Sequence, residues 1–192
     1  RIEALRDKQL EKQENHLKQN KSLKEKNLNE EIETIKKELQ FLKITPDYRD
    51  QLNLSENLKN LSKQLSLVRI ENIKKDKSKN IIKERQIGKI KIREQLLKDF
   101  PPKELRGIID QGKKEIESGI IICISTFEDK VGVAVGVSKD LTSKYDAVNL
   151  VKIASETLGG KGGGGRKDFA QAGGVDKDKV EKAFKEITKK IN

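Results

Sequence analysis

Apolar residues in the first third of the chain recur at spacings of four and three. Leu28, Ile32, Ile35, Leu39 and Leu42 form one series, and Leu54, Leu58, Leu61, Leu65 and Val68 a second. Such spacing keeps one stripe of a helix apolar and is the seam of a coiled coil. From Arg1 to Ile44 no Gly or Pro interrupts the pattern, so one long helix is expected there. Upstream the same register falls on Gln9, Lys12, His16 and Gln19, so that part is weakly apolar and prone to fray. Pro46 lacks an amide donor and biases Thr45 away from helical geometry, which marks the expected stop. Two such helices joined by a short turn fold back as an antiparallel hairpin. Their seams meet either each other or those of a second chain, and Leu52, Leu67, Ile70 and Ile73 are left over to serve a dimer.

The pattern changes at Lys74-Lys75-Asp76-Lys77-Ser78-Lys79, followed by Lys83 and Arg85. This is either a solvated helix end and linker or a patch that contacts phosphates. A boundary here gives a helical part at 1–80 and a globular part at 81–192. Residues 86–93 alternate Ile87, Lys89, Ile90, Lys91, Ile92 as a half-buried strand does. After Phe100-Pro101-Pro102, a helix is expected over 103–118 with Leu105, Ile108, Ile109, Gly112 and Ile116 on one face and Gly119 as its cap. The apolar run Ile120–Ile124 reads as a central strand buried on both faces. A tight turn at Glu128-Asp129-Lys130 leads to a second strand. There Val131, Val133, Val135 and Val137 face one way, and Gly132, Ala134 and Gly136 leave room on the other for close packing or a ligand. The helix between 86–93 and 120–127 suggests a right-handed βαβ crossover. Two more helices are expected, one over 146–158 and one from an Asp176 cap to Ile191. The fold class is therefore α+β: a helical hairpin followed by a small α/β globular domain with a mixed sheet.

Composition narrows the function. Hydrophobic residues make up 33%, aromatics 4% and charged residues 38%, which suits a solvated helical part beside one small core. A net charge of +11 points to a polyanionic partner, although abundant Lys and Asn also follow from an AT-rich genome. Cys123 is the only cysteine, which excludes an intrachain disulfide and makes a cytoplasmic location the default. No apolar run reaches membrane-spanning length. The chain opens at Arg1 inside a helical pattern and is expected to be a piece of a longer polypeptide. Catalytic chemistry finds no footing. One Cys and one His, far apart, do not make a zinc site, and Cys123 in a buried strand is no nucleophile. The glycines at 160–165 match a dinucleotide motif only formally, because they follow a helix rather than a strand. A P-loop needs Ser or Thr where Gly162 stands.

The stretch Gly159-Gly160-Lys161-Gly162-Gly163-Gly164-Gly165-Arg166-Lys167-Asp168-Phe169-Ala170-Gln171-Ala172-Gly173-Gly174 is the most distinctive feature. Its glycines free the backbone to approach a ligand, and amide donors beside cations suit phosphate oxygens. Phe169 and the two alanines distinguish it from a flexible linker, so a structured loop is expected. Gly160, Lys161, Gly162, Gly163, Gly164, Gly165, Arg166, Lys167 and Gln171 are the candidate RNA-binding residues. Lys161, Arg166 and Lys167 would neutralise phosphate or stack on a base. Two alternatives stand: Asp168 ties Arg166 down as a local brace, and Gln171 makes a cap or turn bond instead of reading a base edge.

This stretch closely resembles the signature of the C-terminal domain of bacterial alanyl-tRNA synthetases, a branch of the wider DHH-associated family. The resemblance extends upstream through Val131–Leu141 and more loosely to Leu105–Asp110, and covers about half of the chain, from roughly Gln86 onward. In the phosphoesterase branch a histidine follows the glycines, where this chain has Arg166. Lys167 departs from the proline of many synthetases and suggests a looser loop. The resemblance implies a module that grips the corner of alanine-specific tRNA and links aminoacylation with editing, with a helical part associated with homodimerisation. It implies no cofactor in this piece; the parent would use ATP with magnesium, and zinc in its editing domain. The partners implied are tRNA and the other synthetase domains, without a membrane. An accessory domain of a DHH-type phosphoesterase and a mainly structural dimerisation module are the alternatives.

Overall fold

The computed structural model describes residues 2–191, with side chains at 12, 13 and 16–191; Arg1, Asn192 and the Gln9 side chain lie outside the described residues. The chain packs as two units, one ending at Leu67 and one beginning at Val68, so the division falls inside the second helix.

In the first unit, α1 runs from Ile2 to Phe41, and α2 (Leu54–Lys75) begins. The expected seam is where burial occurs: Ile32, Ile35, Leu39, Leu61 and Leu65 are buried. α1 stops before Pro46 is reached. Lys43 takes a left-handed conformation (φ 59°), and the Ile44 amide donates back to the Leu39 carbonyl. The connection is then pinned to α2 by two amides. Gln64 Nε2 donates to Thr45 O (2.8 Å), and Gln64 Oε1 accepts from the Asp47 amide (2.9 Å). Asn57, fully buried, donates to Arg49 O and Leu52 O and accepts from the Arg49 amide. A buried amide is tolerated when it is bonded in this way.

The second unit is a six-stranded mixed sheet of β1 (Asn80–Ile87), β2 (Ile90–Lys98), β3 (Gly119–Phe127), β4 (Lys130–Val137), β5 (Gly163–Arg166) and β6 (Phe169–Gly174), in the order β1-β2-β3-β4-β6-β5. Only β2 and β3 are parallel, joined through α3 (Leu105–Glu115), as the crossover expectation requires. Val131, Val133, Val135 and Val137 join Ile120, Ile122 and Ile124 in a core with α4 (Ala147–Thr157) and α5 (Val180–Ile191). Ile121, Cys123 and Ala134 turn to the opposite face and pack with Leu105, Ile108 and Ile109 of α3. The glycine side of β4 serves close packing: a Cβ at Gly132 or Gly136 would overlap Pro102 or Ile109.

Four expectations are corrected. Residues 86–93 are two strands, because Ile87 pairs with Ile90 across a two-residue loop whose first position, Gly88, has φ 58°; glycine at that position is what such a hairpin needs. Gly119 does not cap a helix. α3 ends at Glu115, Ile116 is extended, and Gly119 opens β3 where a Cβ would strike the Lys91 carbonyl. Ile70 and Ile73 are not free for a dimer; both are buried with Leu97, Phe100 and Leu105. Asp176 precedes a 3-10 turn without a side-chain cap bond, and its carboxylate instead accepts from Lys179 Nζ (2.6 Å).

Candidate nucleic-acid interface

The glycine stretch folds as the edge hairpin β5–β6, not as a loop. α4 ends at Thr157 with Leu158 as its cap, and Gly159 (φ 72°) turns the chain while the Gly160 amide donates to Ser155 O (2.7 Å). A Cβ on Gly160 would overlap Gly173 O, and one on Gly163 would overlap Ala172, so these glycines let α4, β5 and β6 touch. The anchor is Ser155, fully buried near the end of α4. Its hydroxyl donates to Gly173 O (2.9 Å) and accepts from the Gly162 amide (3.2 Å).

β5 is the last strand of the sheet, so one side of its backbone has no strand partner. Nothing lies within 4 Å of where a Gly164 Cβ would be. The strand therefore presents bare amide and carbonyl groups flanked by charge, the geometry in which backbone donors reach an anion. Lys161, Gly164, Gly165, Arg166 and Lys167 are all exposed. Arg166 Nε donates to Asp168 Oδ1 (3.1 Å), so the brace is present, yet the Arg166 side chain remains 69% exposed. Asp168 also meets Lys113 Nζ from α3 (3.5 Å), and that ammonium donates to Asp168 O (2.5 Å). The Arg166 bond holds the Asp168 carboxyl below its ordinary range against partial burial, with Lys113 adding to the effect. Asp168 in turn raises the Arg166 guanidinium.

Gln171 Nε2 donates to Pro102 O (3.0 Å), which ties its side chain to the segment before α3. Lys161 and Lys167 make no ion pair among the described residues. Two cations unmarked by sequence reasoning join the hairpin from α3: Lys113, and Arg106, whose guanidinium lies 5.3 Å from the Phe169 ring centre. Their positions on an ordinary charged helix face carried no signal. In the lysine-rich stretch, Lys74 pairs with Glu115, Lys79 with Asp99, and Arg85 with Glu94; Lys75, Lys77 and Lys83 are exposed. Burial pushes the Cys123 thiol up, away from any nucleophilic role. Among the described residues no cluster of three metal-ligating side chains occurs, and no helix is long and apolar enough to cross a membrane.

Fold and edge hairpin together define a mixed-sheet domain closed at one side by a glycine-rich strand. Residues 89–192 match the DHHA1 domain, and the chain belongs to that family. Among curated relatives, the alanine–tRNA ligase of Bradyrhizobium diazoefficiens is 46% identical over 106 residues, covering 55% of this chain and 12% of that protein. That of Rhodopseudomonas palustris is 48% identical over 108 residues, covering 56% and 12%. The chain thus spans about an eighth of the length of these relatives. The crystal structure of the C-Ala domain from Aquifex aeolicus alanyl-tRNA synthetase aligns with a TM-score of 0.50 at 32% identity, covering 54% of this chain and 92% of that one.

Proposed function

We propose that this chain is the tRNA-gripping C-terminal part of an alanine–tRNA ligase, with the β5–β6 hairpin as its RNA contact. The observation that carries the reading is the bare glycine edge strand flanked by Lys161, Arg166 and Lys167, in a domain 46–48% identical to the matching parts of such ligases. Exposed cations give salt-dependent affinity for phosphate, and the fixed hairpin adds a preference for shape. In this reading the domain holds the corner of alanine-specific tRNA, linking aminoacylation with editing, while ATP, magnesium and zinc serve other parts of the ligase. The helices at 1–80 are proposed to serve homodimerisation.

The test is binding of folded and heat-disrupted alanine tRNA transcripts across a salt series, with Lys161→Ala/Arg166→Ala in parallel. Folded tRNA is expected to bind more tightly, and the double variant to lose that preference. Equal binding of both RNAs by both proteins would refute the reading.

A further inference from the structure

The sheet extends one strand beyond its helical cover. α5 packs over the middle of the sheet, while nearly all of β1 is solvent-exposed. Between the β1–β2 hairpin and α5 lies a cavity of about 280 Å³, at the small end of ligand sites. Ile81 and Leu96 form one apolar wall and Val180 and Phe184 the other, with Lys83 and Lys185 on opposite rims. Ile81 is 36% exposed, a large apolar side chain left open to water. Neither Lys83 nor Lys185 makes an ion pair among the described residues. Two acids line the cavity: Glu94 pairs with Arg85 and accepts from Thr188 Oγ1 (2.9 Å), and Arg85 also donates to Thr188 (2.6 Å), while Glu181 is exposed on α5. The cavity therefore presents an aromatic and aliphatic slot whose three lining cations, Lys83, Arg85 and Lys185, outnumber its two carboxylates, the paired Glu94 and the exposed Glu181.

An aromatic face with cations at the rim suits a nucleotide whose base leaves its stack. The base gains apolar and stacking contact and the phosphate gains charge. We propose that this cavity is a second RNA site, which takes the base of one unpaired nucleotide between Phe184 and Ile81 and its phosphate between Lys83 and Lys185. The proposal rests on the tRNA-binding reading above and places a contact at the opposite edge of the sheet from β5.

The test uses the whole 192-residue chain and an alanine tRNA transcript carrying 4-thiouridine, read by anisotropy and by photo-crosslinking with peptide mapping. Ile81→Trp fills the slot from an exposed position, and Lys83→Gln/Lys185→Gln removes the rim charge without touching the core. The expected result is a crosslink in 80–87 or 180–185 that Ile81→Trp abolishes, with about tenfold weaker binding. The lysine variant should lower the slope of log affinity against log salt by about two. Native affinity, native slope and no crosslink in either segment overturn the proposal. Lys161→Ala/Arg166→Ala run alongside separates the two readings. If it alone weakens binding, the cavity proposal fails and the hairpin reading stands; if no variant weakens binding, both fail.

Discussion

Ser155→Ala is the sharpest perturbation of the hairpin that leaves every cation in place. The hydroxyl is fully buried and joins α4 to both β6, at Gly173 O (2.9 Å), and the start of β5, at the Gly162 amide (3.2 Å). A hydrogen bond contributes about 0.5–1.5 kcal/mol net, and more is lost when a buried partner is stranded. Gly173 is exposed and Gly162 half-buried, so water replaces part of the loss and holds the cost of two bonds near 2 kcal/mol. Alanine returns about 0.5 kcal/mol through helix propensity. The expected net destabilisation is about 1.5 kcal/mol, measurable by urea denaturation, with Tm falling about 6 °C for a unit of this size. In the same protein, tRNA affinity should fall severalfold although no charge has changed, because Gly162 is no longer pinned. Unchanged stability would refute the anchoring role. Lost stability with native tRNA affinity would show that the anchor serves the fold alone.

Further outcomes follow from the same structure. Ile70→Ala should cost about 2–4 kcal/mol in denaturation experiments, since Ile70 is 2% exposed in the core beside α3; sedimentation should find the oligomeric state unchanged, because that side chain is not an intermolecular contact. Asp168 has a lowered folded pKa, so its contribution to stability is present above the ordinary carboxylate range and is lost as pH falls through the folded value. Asp168→Asn should therefore flatten the acid limb of the stability profile below about pH 4, and leave stability at pH 7–8 lower by a constant amount. The same variant frees Arg166 and Lys113, and tRNA binding measured by anisotropy should become tighter and more salt-dependent.

Much of this fold is legible in the residues because burial imposes a period. The four-three spacing marked Ile32, Ile35, Leu39, Leu61 and Leu65, which are buried, and Leu28, Leu42, Leu54, Leu58 and Val68, which are half-buried; the alternation at Val131–Val137 marked the two faces of β4. What escaped has physical reasons too. A two-residue hairpin at Gly88-Lys89 leaves no polar gap, so two strands read as one. Gly163–Gly165 have no side chains to alternate, and β5 is recognisable only through its pairing with β6. Ser155 looks like a neutral helix residue until Gly162 and Gly173 are brought beside it. Asn57 and Gln64 bond backbone that lies several turns of sequence away. At the site itself, the cations of the hairpin were readable from the glycine stretch, whereas Arg106 and Lys113 come from a separate helix and depend on tertiary placement.

In the proposed function the glycine edge strand meets RNA with its backbone. Amide hydrogen exchange of the whole chain, with and without saturating folded alanine tRNA, tests it most directly, because β5 amides on the open edge have no strand partner to protect them. Slowed exchange across 161–168 on tRNA addition is the predicted result. Exchange in that segment unchanged by tRNA, with protection confined to other parts of the chain, would contradict it.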